Sequence, residues 1–396
     1  MIRLFRDLLF FIMIFGFFND NFMVELFGAF VLKAVFVLFI LVNIGDIIKA
    51  TLEPSPNSVI KSYYVFISIL SIVTLSSIIF LNLLTLLQGI TVLVSIHVVF
   101  IYVSYYKEFD KLLYFIWASV FSSAFISLFN DPIAEFTYRI TGGTADPVEF
   151  SVHLFTGIII AIYLFNKNKS LIFLISSIML FLYAMLFAGS KTAILTIAIL
   201  GFYVMIVKFR HLFGQIFSLK GLVSISIIIV IVSQTSLGDK LNDAVEGMKG
   251  RTATSSETMR TANTRFASWE AGYGMIGDYI LTGVGVNQFS QHAGKYLKVN
   301  QSDEGLFNPH NILVQMFSEA GLLSFLSFIA FLFFLMKSKY FLLIRSDYFW
   351  ITLVPIAAIL MGLALNIAYK EHFWLSFALL SNIILLQGKY EKEEAS

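Results

Sequence analysis

Long runs of apolar residues, separated by short polar stretches, extend from residue 7 to residue 388. A helix needs roughly 20 apolar residues to cross the hydrocarbon of a bilayer. On this measure the pattern predicts twelve membrane spans, near residues 7–22, 24–44, 62–86, 88–106, 112–130, 149–165, 170–187, 191–208, 221–235, 310–336, 349–368 and 371–388. The expected fold is an all-α polytopic membrane protein, with residues 1–396 forming a single membrane domain.

One sizeable polar segment interrupts this pattern, at residues 236–309 between the ninth and tenth predicted spans. Two stretches in it, LGDKLNDAVEGMKGRT and RTANTRFASWEAGYGMIGDY, have the apolar spacing of short amphipathic helices. We therefore expect a large loop that contains short helices.

The basic residues predict the orientation of the chain. With a cytoplasmic N-terminus, 16 of the 27 Lys and Arg residues fall in inner loops, and seven lie in the 236–309 segment. The short outer loops hold only Arg139, Lys191 and Lys370. Because short cytoplasmic loops are enriched in Lys and Arg, this bias predicts a periplasmic loop at 236–309.

Composition excludes several classes of protein. With 58% hydrophobic and 13% charged residues, the chain is far more apolar than a soluble domain. It has no cysteine, which excludes disulfides, thiolate zinc sites and cysteine nucleophiles. No phosphate-binding loop, no carboxylate pair with metal-ligand spacing and no i, i+4 histidine pair is present. We therefore predict no metal, no cofactor and no nucleic-acid partner.

The Lys and Arg residues of the short outer loops are exceptions to the positive-inside bias, so the position of each requires an explanation. Arg139 lies in RITGGTADPVEF and Lys191 in AGSKTAIL, both close to the bilayer. Ionisable groups at such depth usually face a cavity or a partner. Alternatively, each side chain snorkels to the interface or pairs with Glu149 or Asp146. For Lys370 we favour such a structural role, and Lys33, within the second span, has no explanation from sequence.

His310 opens the tenth predicted span, in NPHNILVQMFSEAGL. It is either an interfacial side chain or a general base, which histidine supplies well near neutral pH. Glu319 comes nine residues later, and steps of about 100° place it on the opposite helix face. We therefore expect Glu319 to pair within the bundle. Arg265, in NTRFASWEAG, is by composition alone a solvated charge.

A polyprenyl-diphosphate carrying a glycan would use these groups together. Cations would hold the diphosphate and stabilise it as it leaves, with arginine binding bidentately and lysine as a point charge. A histidine would take the proton from the acceptor hydroxyl. Lys191, Arg265, His310 and Arg139 all fall on the required side of the predicted topology.

Four segments in order resemble the bacterial O-antigen ligase and O-antigen polymerase superfamily, from about Arg139 to the C-terminus. They are RITGGTADPVEFS, GSKTAIL, TRFASWEAGYGMIGDYILTGVGVNQF and PHNILVQMFSEAGLLSF. The resemblance implies a GT-C-like glycosyltransferase of the bacterial inner membrane, with its active site on the periplasmic side. It also implies metal-independent, inverting transfer from an undecaprenyl-diphosphate-linked glycan.

The resemblance also implies roles for individual residues. His310 would be the base or would position the acceptor, and Arg265 would bind the diphosphate. Lys191 stands where many relatives have arginine, so it would keep the charge without the bidentate fork. Arg139 would be a further diphosphate ligand. Supporting roles fall to Asn311 and Glu319.

Three functions remain open at this level. We favour a polymerase, which transfers the glycan to another lipid-linked repeat and is expected to work with a separate chain-length co-polymerase. A ligase would instead transfer it to lipid A-core. The third reading is a transporter or flippase, although such proteins usually show paired halves and no internal repeat is visible here. A structural scaffold would leave the outer cations and His310 unexplained.

Overall fold

The computed structural model describes residues 2–52, 57–76, 83–129, 144, 146–209, 255–297, 308–337, 343 and 346–394. Within these ranges every regular element is an α-helix. The helices are α1 (Ile2–Phe18), α2 (Asp20–Phe27), α3 (Ala29–Leu52), α4 (Ser58–Ser76), α5 (Leu83–Ser104), α6 (Phe109–Ile126), α7 (Pro147–Asn168), α8 (Leu171–Ala188), α9 (Lys191–Lys208), α10 (Ser255–Asp278), α11 (Phe289–Tyr296), α12 (Ile312–Lys337), α13 (Phe349–Gly362) and α14 (Glu371–Glu394).

Six of the described helices are long and apolar enough to cross a membrane. They are the helices at Phe30–Leu52, Ser58–Leu75, Leu86–Ser104, Phe109–Ile126, Pro147–Asn168 and Ile312–Lys337. The bent pair α1–α2 would make a seventh, and α8, α9 and α13 are shorter apolar helices. The prediction of a polytopic α-helical membrane protein is confirmed. The count of twelve stays a prediction, and its ninth span, 221–235, lies outside the described residues.

The first predicted span is not one straight helix. α1 ends at Phe18, and α2 leaves the break at an angle of 108°. Asn19 is fully buried in this break, where its Nδ2 donates to the carbonyl oxygens of Phe15 and Ser119, both at 3.1 Å. Because α3 begins at Ala29 rather than near residue 24, Lys33 lies about one turn inside the helix and is exposed. From there its stem can lie along the helix while the ammonium reaches the interface.

Aromatic side chains form the centre of the bundle, where α4, α5, α12 and α14 meet. Tyr63 stacks on Phe100 with ring centroids 3.7 Å apart, and Phe66 stacks on Trp374 at 5.2 Å. Trp374 also donates from Nε1 to the carbonyl oxygen of Ala368 at 2.7 Å. The indole is therefore fully buried with its one donor satisfied, as buried tryptophans usually are.

Ion pairs lie at one end of the bundle and within its opposite half. At the end that the charge pattern predicts to be cytoplasmic, the pairs are Arg3–Glu108, Arg6–Asp46, Lys111–Asp7 and Lys167–Asp110. In the opposite half, the Lys370 ammonium lies 3.3 Å from Glu149 and 3.7 Å from Asp20. These two contacts support the structural role that the sequence favours for Lys370.

The connection between α13 and α14, residues 363–370, lies deep beside α5. α13 has 14 residues, about 21 Å at 1.5 Å per residue, so it is shorter than the hydrocarbon thickness of about 30 Å. Ser95 lies midway along α5, and its hydroxyl donates to the Glu371 carboxylate at 2.6 Å. The chain therefore turns between α13 and α14 at the level of the middle of α5, rather than at the level of either end of that helix. This recessed turn contacts the segment that carries His310.

Candidate functional site

His310 lies in the loop before α12, not on the helix. α12 begins at Ile312, and His310 has a left-handed backbone with φ of +44°. The expectation that His310 opens the helix is wrong, so the argument from opposite helix faces does not apply to Glu319. Left-handed backbone is uncommon for residues other than glycine and is found where surrounding contacts hold it in place.

Asn311 explains why the helix begins where it does. Its Oδ1 accepts from the backbone N–H groups of Leu313 at 2.9 Å and Val314 at 3.2 Å, which caps the first turn. Its Nδ2 donates to the carbonyl oxygen of Leu363 at 3.2 Å. Asn311 therefore fixes the backbone next to His310 to both α12 and the recessed turn.

Two more hydrogen bonds join the His310 segment to the recessed turn. Asn366 Nδ2 donates to Asn308 Oδ1 at 3.1 Å, and the Ala368 N–H donates to Gln315 Oε1 at 3.2 Å. With the Asn311 bond, the residues on both sides of His310 are tied to residues 363–368.

A single hydrogen bond brings Arg265 toward His310. Trp269, on α10, donates from Nε1 to the carbonyl oxygen of Pro309 at 2.9 Å, and Pro309 directly precedes His310. Arg265 is four residues before Trp269, so both project from the same side of α10. Arg265 is half-buried. The bond thus places the helix that carries Arg265 against the segment that carries His310.

The end of α10 is fixed to α11 by polar contacts outside the membrane-spanning helices. Tyr296 Oη donates to Asp278 Oδ2 at 2.7 Å, and Lys295 Nζ lies 3.3 Å from the same oxygen. These two donors hold the pKa of the Asp278 carboxyl below its usual value. The contact stabilises α11 against α10 and so helps to hold the helix that carries Arg265.

The Gly-x-Gly and Glu-x-Gly sequences meet in one backbone joint. The N–H groups of Val284 and Gly285 donate to the carbonyl oxygens of Ser318 and Glu319, both at 2.9 Å. The Leu322 N–H donates to the Ile280 carbonyl oxygen at 2.7 Å. This ladder attaches the turn after α10 to the middle of α12.

Two glycines make this approach possible. Gly283 has φ of +64° and Gly321 has φ of +73°, a region that residues with a Cβ rarely adopt. A Cβ at Gly283 would lie 2.3 Å from the backbone of Glu319, and one at Gly321 would lie 2.3 Å from the carbonyl oxygen of Leu281. The helix break at Gly321 is thus the place where the second segment enters.

Glu319 is buried at this joint and binds backbone. Its Oε1 accepts from the N–H of Phe289 at 2.7 Å, at the start of α11. A carboxylate near a helix N-terminus is favourable because it satisfies an N–H that has no partner within the helix. The contact indicates a supporting, structural part for Glu319.

The structure describes the remaining predicted cations only in part. Arg139 lies outside the described residues. Lys191 is the first residue of α9, which Ser190 caps by accepting from the Ala193 N–H at 3.2 Å. α9 packs on α7 and α13, and α10 packs on α11 and α12. That Lys191 joins Arg265 and His310 stays a prediction.

A buried cluster was missed by the reading of the sequence. Glu149 and His153, one turn apart on α7, meet His372 of α14, and one ligand atom from each lies within 4.8 Å of the other two. All three side chains are buried, and His372 Nδ1 is 3.6 Å from Glu149 Oε1. The i, i+4 spacing of Glu149 and His153 is visible in the sequence, but the third member is more than 200 residues away. Among the described residues, these three could hold a metal ion.

Part of this chain matches a known protein family. Residues 176–329 match the model of the family Wzy_C, described as O-antigen ligase. The match supports a relation to the O-antigen polymerase and ligase superfamily. The matched range includes α9, the α10–α11 segment and most of α12, and therefore Lys191, Arg265, His310 and Glu319. A search of curated proteins gave no match.

Proposed function

We propose that this protein is an O-antigen (surface polysaccharide) polymerase. It transfers the glycan of an undecaprenyl-diphosphate-linked donor to a sugar hydroxyl of another lipid-linked repeat, in the inner membrane and at its periplasmic face. The family match supports O-antigen polymerase or ligase chemistry in general. The observation that carries the residue assignment is the Trp269–Pro309 hydrogen bond, which holds the helix of Arg265 beside His310.

The proposed step is inverting glycosyl transfer. The acceptor oxygen attacks the anomeric carbon from the face opposite the diphosphate, a new C–O bond forms, and the bond from that carbon to the phosphate oxygen breaks. His310 takes the proton of the acceptor hydroxyl, or positions that hydroxyl. Arg265 binds the departing diphosphate, whose negative charge grows in the transition state, with Lys191 and Arg139 as further cations.

Exposed aromatic residues on α10 support a position for this helix at the level of the lipid headgroups. Phe266 and Tyr273 are seven residues apart on one side of the helix and are 62% and 63% exposed. Aromatic side chains are enriched at membrane interfaces, where ring and polar groups find different surroundings. Arg265, next to Phe266, would then lie at the level where a lipid-linked diphosphate resides.

The proposed topology has twelve spans with residues 236–309 outside. It can be tested by labelling, because the chain has no cysteine. Lys295→Cys, on α11, should react with a membrane-impermeant thiol reagent from the periplasmic side. Lys167→Cys, at the end of α7 that pairs with Asp110, should react only after the membrane is permeabilised. Reaction of both from the same side would overturn the topology.

The function is tested by a lipopolysaccharide gel from a strain lacking the gene, complemented with plasmid-borne variants. Wild type should restore the ladder of repeats. His310→Ala and Arg265→Ala should give core with a single repeat, at protein levels equal to wild type. His292→Ala, on α11, is the matched histidine control and should restore the ladder.

A second function is favoured by one observation, the description of the matching family as O-antigen ligase. The same gel separates the two. Bare core, with glycan accumulating on undecaprenyl diphosphate, would identify a ligase that uses lipid A-core as acceptor. An unchanged ladder in the deletion strain would overturn both functions for this glycan. If polymerisation is found, a change in chain-length distribution on deletion of a co-polymerase would identify that partner.

A further inference from the structure

The buried cluster at the N-terminal end of α7 has the composition of a metal site. We propose that Glu149, His153 and His372 bind a divalent transition-metal ion, with Zn²⁺ as the test ion, which joins α7 to α14. The three residues supply one carboxylate oxygen and two imidazole nitrogens, all within 4.8 Å of one another. Two histidines and one carboxylate form a common set for Zn²⁺ and related first-row metals.

The ring nitrogens of the cluster are the first independent support. The backbone of Phe18 lies close to the His153 ring, but no hydrogen bond of good geometry reaches either ring nitrogen among the described residues, and the same holds for Nε2 of His372. His153 is 1% exposed and His372 is 6% exposed. Buried polar atoms are almost always paired with protein, water or an ion, so these nitrogens can accept a partner beyond those that the described residues supply.

The second support is a small cavity at these nitrogens. It has a volume of about 10 Å³ and is lined by both histidines, together with Thr156, Ser376 and apolar side chains that include Phe18 and Leu379. A space of this size holds at most one water-sized guest. Glu149 does not line this cavity, so a metal ion would sit between the cavity and the Glu149 carboxylate, where the two histidine rings face both.

Charge around the cluster also favours a divalent cation. Lys370 contacts Glu149 and Asp20, and Glu371 lies next in the chain. The carboxyl group of Asp146, which caps α7, is a fourth acidic group close by. With all four ionised, four negative charges surround one ammonium, so an ion of charge +2 would offset most of the excess. Lys370 and the metal then compete for the Glu149 carboxylate, and Lys370 keeps Asp20 as its partner when the metal is bound.

The site would be structural and separate from glycosyl transfer. Its ligands come from α7 and α14, whereas the His310 segment is bonded to the other end of the recessed turn, at Leu363. The turn connects the two because Lys370 is its last residue and Leu363 its first. The metal would therefore fix one end of the turn whose other end contacts Asn311.

The experiment measures metal binding to the purified full-length protein in detergent. After EDTA treatment and dialysis, Zn²⁺ is added, and bound metal and melting temperature are measured. We expect about one Zn²⁺ per chain and a higher melting temperature. His153→Phe and His372→Phe, which keep an aromatic ring in the core, should abolish both, and His292→Ala should keep both.

Replacement of Lys370 distinguishes a metal site from a buried cluster that binds no metal. Lys370→Gln removes the competing ammonium, so Zn²⁺ should bind at least several-fold more tightly than in wild type. Equal affinity in wild type and Lys370→Gln would overturn the competition for Glu149. Absence of Zn²⁺ binding by wild type, or equal binding by wild type and both phenylalanine variants, would overturn the site. Because the readouts are bound metal and melting temperature, they do not depend on the proposed polymerase activity.

Discussion

Trp269 and Pro309 are 40 residues apart in the chain, yet a hydrogen bond of 2.9 Å joins the indole N–H of one to the carbonyl oxygen of the other. Trp269 is on the helix that carries Arg265, and Pro309 directly precedes His310. The bond therefore links the helix of the proposed diphosphate ligand to the segment that carries the proposed base.

Trp269→Phe should lower activity without unfolding the protein. The ring still packs, but the donor to Pro309 is lost, so α10 and the His310 segment are no longer held in register. Small misplacements of reacting groups are costly, and we expect repeat addition to fall by about tenfold to hundredfold. The measurement is ladder intensity against protein level. Tyr273→Phe, one turn further along α10, is the control and should behave as wild type; equal ladders for the two variants would contradict the role of Trp269.

Glu319→Ala should destabilise the joint between α11 and α12. The Phe289 N–H would lose its acceptor in a buried position, which costs about 1–3 kcal/mol. Glu319→Gln keeps a side-chain oxygen at the same place and should recover most of that loss. Melting temperatures in detergent test this directly. If the glutamine variant melts as low as the alanine variant, the charge of Glu319 matters rather than its bond to Phe289.

Hydropathy predicted the membrane class because each apolar helix carries its own signal over about 20 residues. What it could not locate were the breaks inside apolar runs. Asn19 ends α1 by bonding to Ser119, a residue 100 positions away, and Gly321 breaks α12 because another segment lies against it. The sequence placed His310 on the helix, but Asn311 is the residue that caps α12. His310 therefore lies before the helix, with a left-handed backbone.

The candidate site was predicted from sequence only as a set of residue types on one side of the membrane. The contact between the helix of Arg265 and the His310 segment depends on Trp269, and no local pattern indicates that its indole donates to Pro309. The buried cluster shows the same limit. Glu149 and His153 have helical spacing, but His372 reaches them only because α7 and α14 approach each other in the bundle.

The contact between α10 and α11 should weaken only in strong acid. Because Tyr296 and Lys295 lower the folded-state pKa of Asp278 below 3.8, its stabilisation is present above pH 3.8 and is lost as pH falls through the folded pKa. Hydrogen exchange of residues 289–296, corrected for intrinsic rates, should therefore stay slow at pH 4 and rise below it. In Tyr296→Phe the rise should move to higher pH, toward 3.8. A profile unchanged by this substitution would contradict the contribution of the Tyr296 bond.

Gly283→Ala and Gly321→Ala should each unfold or strongly destabilise the protein. Both positions have positive φ, and in each a Cβ would lie 2.3 Å from backbone atoms that cannot move as a flexible side chain does. We expect a loss of about 3 kcal/mol or more from strain and overlap together. Gly277→Ala and Gly294→Ala are matched controls, because both are helical and have nothing within 4 Å of the added Cβ. Those should be neutral or stabilising by up to about 1 kcal/mol, since alanine favours helix over glycine. Melting temperatures of the four variants in one detergent decide the matter: similar values in all four would mean that the joint between the two glycine sequences contributes little to the fold.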